Sequence, residues 1–363
     1  MSNLVEDLKS GVINLDHLEN TLHIKVKEYA DRIVLNYNQI ESPKSDPYVM
    51  QCRGIILDKH TFDVMCLPFD RFFNLDEVYN HSNMIDWSKA KCYEKVDGSL
   101  IKIYHDGMKW CIATRGTAFA ESDVNGFPIT FKELVLKSLG CSTDEDFQEI
   151  ANDCLDYENT YLMEVTAREN RVVTAYDGYS LWWLATRNKY TGEYLDTTSS
   201  ITNLGAKIIK SYSFGSVSDC VKTASELPDL QEGYVLYQDG VPMCKIKSPA
   251  YVAVHHIKGE GLSPKRIAEL VLTNEQDEYL KYFPEDHQYI NPVVCSLEHL
   301  LRAMQYVLDE VYEIEDQKTF ALEVKDYPFS AVLFQWKKKG GDVVDLFHQQ
   351  PLNYKVKLLL DCV

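Results

Sequence analysis

Lys95 stands two residues ahead of an Asp97-Gly98 pair in EKVDGSLIKIY, and apolar alternation follows it. A surface hairpin accounts for Asp-Gly by itself. K-x-D-G also arises by chance in about one chain in ten of this length, given average residue usage. Lys95 is therefore either a solvated strand residue or a nucleophile. Other polar residues interrupt stretches that otherwise read as core: Arg53 in QCRGIILD, Glu164 in LMEVT, Glu232 in QEGYVLY, and Lys245 and Lys247 in CKIKS. Strand alternation puts Lys245 and Lys247 on one face with Ile246 opposite. Two such ammonium groups belong on a solvated face or around an anion, and around an anion they would also depress a neighbouring lysine. A lysine nucleophile must be neutral to attack, which cationic neighbours or desolvation favour. Glu164 and Glu232 are either solubilising edge residues or carboxylates for a hydrated Mg²⁺. Combined, these groups suit a lysine that attacks the α-phosphorus of a nucleoside triphosphate, with metal and lysines steadying the departing pyrophosphate.

The elements that must position them fall into two regions. From about 22 to 247 the pattern is mostly strands, among them HIKVKEY, RIVLNYNQI, RGIILD, SLIKIY, TYLMEV, RVVTAY, AKIIKSY and GYVLYQ. DKHTFD, YHDGMKW and YQDGVPM read as antiparallel hairpin connections. Helices are expected at about 130–139, 143–154 and 216–227. After about 250 the period becomes 3.6, with helix starts at Ser263-Pro264, Ser296 and Asp316. The fold class is α+β, an antiparallel-sheet domain over 1–255 followed by an all-helical domain over 256–363, with the boundary near 250–262.

EKVDGSL resembles the nucleophile motif of the covalent lysine nucleotidyltransferases, which include RNA ligases, DNA ligases and capping enzymes. LMEV, EGYVLY and CKIKS resemble their third, fourth and fifth motifs, in order. LNYNQI, CRGIILD, DRFFNLDE, ENRVVTAY, RNKYTGEY and KIKSPAYV are closer still to the phage RNA ligase 1 (anticodon-repair) family, over about 35–255. KTFALE and LLRAMQYVLDEVY are similar to its helical C-terminal domain. The resemblance implies a nucleotidyltransferase (ATP-grasp-like ligase) domain and an ATP-dependent RNA ligase working with Mg²⁺ or Mn²⁺. Its substrates would be RNA 5′-phosphate and 3′-hydroxyl ends, tRNA among them. Lys95 would accept AMP. Arg53, Arg71, Arg115, Lys245 and Lys247 would contact the nucleotide's phosphates, with Tyr37 near the nucleotide. Glu164 and Glu232 would hold the catalytic metal through water. Asp277 and Glu278 fall roughly where a second metal's acidic pair would lie, but the mapping is poor and a solvated helix face is the better reading. The family carries lysine where this chain has Arg71 and Arg115; arginine keeps the charge and adds bidentate phosphate contact.

Several alternatives stay open. A DNA ligase or capping enzyme would carry a β-barrel after CKIKS, whereas here the pattern turns helical. A catalytically dead RNA-binding protein on the same fold would keep the core but need not keep the charges. Trp182 and Trp183 read as core before base-stacking, and His255 and His256 as helix surface. WKKKGG at 336–341 reads as a helix C-terminus before an RNA contact.

The 37 basic and 55 acidic residues give a net charge of −18, which excludes a uniformly basic nucleic-acid-coating protein. A local cationic cleft is still allowed, with modest and salt-dependent RNA affinity. The ten cysteines form no C-x-x-C pair and read as reduced core residues, so a zinc ribbon is unsupported. No apolar run approaches the roughly 18 residues of a membrane span. The N-terminal stretch lacks a signal-peptide pattern, and a monomer in a cytoplasm, a host's if phage-encoded, is expected.

Overall fold

A computed structural model describes residues 3–125, 127–228, 230–259 and 262–361. Residues 260 and 261 of the expected boundary, and Cys362, lie outside the described residues. The chain forms two compact units, Met1–His255 and His256–Val363.

In the first unit, two short helices, α1 (Leu4–Lys9) and α2 (Leu15–Asn20), precede the sheets, each started by an asparagine whose side chain accepts from the first turn. They pack on a four-stranded antiparallel sheet of β1 (Ile24–Glu28), β2 (Arg32–Tyr37), β3 (Arg53–Asp58) and β4 (Val64–Cys66), with α3 (Pro47–Gln51) between β2 and β3.

Two further sheets follow. The five-stranded one contains β5 (Phe73–Asn74), β6 (Ala90–Glu94), β15 (Ser211–Tyr212), β16 (Gly233–Gln238) and β17 (Val241–Lys247), ordered β15-β6-β16-β17-β5. The six-stranded one contains β7 (Ser99–His105), β8 (Trp110–Thr114), β11 (Asn159–Thr166), β12 (Ser180–Asn188), β13 (Tyr194–Leu195) and β14 (Lys207–Ile208). Its outer face is covered by α4 (Phe131–Leu139), α5 (Asp144–Cys154) and α6 (Thr198–Leu204), through Leu134, Phe147 and Ile201 against Ile101, Ile103 and Met163. A small hairpin, β9 (Asp123–Val124) with β10 (Phe127–Thr130), leads into α4, and α7 (Val217–Ser225) covers the five-stranded sheet. Between the two sheets lies an apolar layer of Phe69, Leu162, Ala185, Val235 and Tyr237.

The α+β class holds, and the three expected hairpins join β3 to β4, β7 to β8 and β16 to β17. RVVTAY, however, is not a strand: the N–H groups of Val173 and Thr174 donate to the Asp97 carboxylate instead of to a ladder. AKIIKSY divides into β14 and β15, which join different sheets.

α8 (Pro249–Lys258) runs across residue 255. Beyond it, every described element is helical: α9 (Pro264–Leu272), α10 (Gln276–Tyr282), α11 (His287–Val311), α12 (Gln317–Val324), α13 (Ser330–Lys339), α14 (Val343–His348) and α15 (Leu352–Leu360), with a 3₁₀ turn at Pro284–Asp286. Ser263 and Asp316 cap α9 and α12 as expected. Ser296 caps nothing, because α11 starts nine residues earlier and carries Pro292 inside it. Among the described cysteines, Cys52, Cys66, Cys92, Cys111, Cys220 and Cys244 are buried; Cys141 and Cys154 are half-buried, and Cys295 is exposed rather than core. No described helix is long and apolar enough to cross a membrane.

Candidate active site

The K-V-D-G stretch is no hairpin. β6 pairs with β16 in one sheet and β7 with β11 in the other, so residues 95–98 carry the chain from sheet to sheet. Lys95 N–H donates to the Gly233 carbonyl at 2.8 Å, anchoring the crossing to the start of β16. Asp97 is buried, and its Oδ2 accepts from the N–H groups of Val173 and Thr174 at 2.8 and 2.7 Å. Its Oδ1 accepts from the Tyr251 hydroxyl of α8 at 2.7 Å. Gly98 is required by space: a Cβ there would lie 2.3 Å from the Val165 carbonyl oxygen. Ser99 Oγ donates to Asn170 Oδ1 at 2.9 Å. Asp97, Gly98 and Ser99 thus each hold the crossing against different neighbours.

Lys95 Nζ lies 2.5 Å from Glu232 Oε2, and Lys247 Nζ lies 3.0 Å from Glu232 Oε1. Burial alone would push Lys95 down, but Glu232, Glu164 and Asp97 outweigh it and its pKa lies above the usual lysine value. The expectation that Lys245 and Lys247 would depress the nucleophile is therefore overturned: the carboxylates are its closer partners. The depressed amine is Lys245, through burial and then Arg53, Lys95 and Lys247. Burial raises the Glu232 carboxyl, yet Lys95 and Lys247 prevail and hold it below its ordinary value. Glu164, on β11, has no such ion pair among the described residues, and burial lifts it to about 8.

These groups face a cleft of about 330 Å³ in the first unit, and it gathers the sequence-predicted residues Tyr37, Arg53, Arg71, Lys95, Arg115, Glu164, Lys245 and Lys247. Glu232 joins them through its two ion pairs. Aromatic rings hold the cations from behind. Arg71 Cζ is 4.3 Å from the Tyr37 ring centre, Arg53 Cζ 4.9 Å from Phe72, and Lys245 Nζ 4.4 Å from Phe72. Arg53 Nη1 and Arg71 Nη1 are buried without a hydrogen-bond partner among the described residues. Burial, and then Arg53 and Arg71, depress Arg115. Buried donors left unmatched, and an Arg115 and a Lys245 depressed by burial and by neighbouring cations, are what a polyanion would relieve. The alternation expected of CKIKS holds: Lys245 and Lys247 line the cleft and Ile246 is buried behind them.

Asp277 and Glu278 lie exposed in the first turn of α10, do not line the cleft, and belong to no metal-binding cluster among the described residues. Trp183 packs on the core cluster, and Trp182 donates to Thr166 Oγ1 beneath the Lys207 ammonium. His255 is half-buried beside Tyr251 and His256 is exposed. Trp336 stacks toward Phe320 and Lys337 donates to the Ile314 carbonyl, with Gly340 closing α13. Sequence reading passed over Phe72, Tyr251 and Tyr176, whose hydroxyl accepts from the Asp97 N–H at 3.0 Å. Only Tyr251 left a signal, its place one helical turn beyond Lys247 in KIKSPAY.

Residues 51–251 match the model of the RNA ligase family. A putative bifunctional polynucleotide kinase/RNA ligase of Autographa californica nuclear polyhedrosis virus is 40% identical over 285 residues, covering 75% of this chain and 40% of that protein. This chain thus spans about two fifths of that relative's length. A putative RNA ligase of Thermovibrio ammonificans is 23% identical over 278 residues, 73% of this chain and 69% of that one. A Naegleria gruberi RNA ligase mutant solved with AMP and Mn aligns with a TM-score of 0.41 at 15% identity, over 54% of this chain and 60% of that one. The family match takes in more than half of the chain and includes Arg53, Lys95, Glu164, Glu232, Lys245 and Lys247; the chain belongs to the RNA ligase family.

Proposed function

We propose that this protein is an ATP-dependent RNA ligase that seals 5′-phosphate and 3′-hydroxyl ends, with cleaved tRNA anticodon loops as its substrate class. The observation that carries this reading is Lys95 Nζ held on Glu232 in a cleft whose Arg53 and Arg71 keep unmatched donors.

In the first step the Lys95 ammonium gives up its proton and the amine attacks the α-phosphorus of ATP. A P–N bond forms as the bond to the β-phosphate's bridging oxygen breaks, and pyrophosphate leaves. Arg53, Arg71, Arg115 and Lys245 take up the triphosphate's charge, which grows on the leaving group as that bond breaks. In the second step an oxygen of the RNA 5′-phosphate displaces Lys95 from the AMP phosphorus. In the third, the 3′-hydroxyl attacks the activated 5′-phosphate and AMP departs. Glu164, half-buried on the cleft wall, and Glu232, buried and paired with the cleft lysines Lys95 and Lys247, fit a hydrated Mg²⁺ or Mn²⁺ held through water, which would supply charge neutralisation at the phosphates. Because Glu232 is shared with Lys95 and Lys247, its carboxylate also bears on the proton that Lys95 must lose.

Residues 1–255 form the adenylyltransferase domain, and the helices of 256–363 contribute to RNA or tRNA selection. The enzyme acts as a monomer in the cytoplasm of a host cell.

Incubation with α-labelled ATP and Mg²⁺, followed by a denaturing gel, tests the first step. Label on the wild type and none on Lys95→Ala is expected. A folded wild type that takes no label would overturn the reading. Labelled protein that joins no 5′-phosphorylated RNA would overturn the ligation steps alone.

A further inference from the structure

Behind the cleft lies a lysine that the ligation steps do not use. Lys102, on β7, is fully buried at 0% exposure, flanked in the sheet by Leu162 of β11 and Ala113 of β8. Its ammonium donates to the backbone carbonyl of Gly54. A lysine in such surroundings is strongly disfavoured unless its charge has a task.

Gly54 connects two cleft residues. It follows Arg53 directly, and it adopts φ +87°, a conformation that favours glycine. A Cβ at Gly54 would sit 2.4 Å from the Arg115 carbonyl oxygen, so the two backbones are pressed together. One buried ammonium therefore holds the peptide at which β3, bearing Arg53, meets Arg115 just past the end of β8. The same charge stands behind Arg115 and adds to the positive field of the cleft: burial, and then Arg115, lower Lys102 to about 8, while Cys66 of β4 acts in the opposite sense.

We propose that Lys102 is a positioning residue for the polyphosphate site, fixing the Gly54 peptide so that the guanidinium groups of Arg53 and Arg115 are aligned for the β- and γ-phosphates of ATP. This rests on the cleft being the ATP site. It separates two kinds of ligand: the effect follows the polyphosphate and spares the nucleoside and α-phosphate.

The test is calorimetric binding of ATP and of AMP to the full chain in EDTA, where no transfer occurs, for wild type and Lys102→Met with folding checked by circular dichroism. Loss of a charged hydrogen bond in a buried site predicts ATP affinity weakened about tenfold or more, and AMP affinity by less than about threefold. ATP affinity unchanged in the folded variant, or equal losses for ATP and AMP, would overturn the positioning role and leave the ATP site standing. A wild type that binds no ATP would overturn both.

Should Lys102→Met fail to fold, ATP binding to a Lys245→Met, Glu164→Gln double variant is followed from about pH 7.5 to about pH 9.5, which brackets the Lys102 value and removes both the other depressed lysine and the raised carboxyl of the cleft. Affinity that falls severalfold as Lys102 loses its proton supports the proposal, and a flat profile overturns it.

Discussion

Glu232 holds Lys95 by one carboxylate oxygen and Lys247 by the other, at 2.5 and 3.0 Å. The proposed nucleophile is therefore stored as an ammonium. Whatever draws Glu232 away, a metal's hydration shell or the incoming phosphates, removes the strongest carboxylate influence on that proton. Resting and reactive states differ by which partner Glu232 serves.

Glu232→Gln takes from the half-buried Lys95 and Lys247 the carboxylate that pairs with both, leaving only Glu164 and Asp97 to act on Lys95. Breaking one side of a buried pair costs about 3–5 kcal/mol in comparable cases. The variant is expected to melt well below wild type and to label with AMP at least about a hundredfold more slowly, in line with a lost electrostatic contact. Thermal melts and single-turnover labelling measure the two effects separately.

Glu164 has a folded pKa near 8, above the ordinary carboxylate value, because of burial. Its folded state binds the extra proton, so its contribution is fully present below pH 4.5 and is lost as pH rises through about 8. Without nucleotide or metal, Glu164→Gln should match wild type near pH 4.5 and melt several degrees higher near pH 9. Equal melting temperatures at both pH values would show that the carboxyl is not raised.

Asp97→Asn removes an anionic acceptor from two backbone donors and a tyrosine hydroxyl. A loss of about 2–4 kcal/mol is expected, against about 1 kcal/mol for Tyr251→Phe. Urea midpoints rank the two, and a Tyr251→Phe loss equal to that of Asp97→Asn would contradict the backbone clamp.

Gly98→Ala places a methyl group against the Val165 carbonyl, where neither strand can give way cheaply. The crossing must shift, so AMP labelling should be lost even in preparations whose circular dichroism stays near native. Retained labelling would mean that Lys95 does not depend on that close approach.

Arg71→Lys restores the residue type usual in the family but loses the planar guanidinium lying on Tyr37. A rise of about two- to fivefold in KM for ATP with kcat retained is expected, and steady-state labelling rates check it.

Much of the cleft was legible because its charges interrupt apolar strands, as Arg53, Glu164, Lys245 and Lys247 do, and strand period alone puts the two lysines on one face. What periodicity could not show was non-local. RVVTAY has a strand's composition, yet Asp97, 76 residues earlier than Val173, takes its N–H groups. β6 was passed over because AKCYE carries little apolar alternation, and so the crossing looked like a hairpin. The resting state of Lys95 depended on distances to Glu232 and Glu164, contributed by separate segments. Lys102 sat unremarked within SLIKIY, since alternation assigns a face but not how deeply that face is covered.

That crossing also sets where the enzyme is tunable. Lys95 and Glu232 attach to the five-stranded sheet and Glu164 to the six-stranded one, so the separation of nucleophile and second carboxylate is set by the thickness of the apolar layer between them. A methylene gained or lost at Leu162 or Ala185, which do not line the cleft, changes that spacing from within the layer. Turnover can therefore drift over generations through interior residues, while the charged residues of the cleft stay as they are.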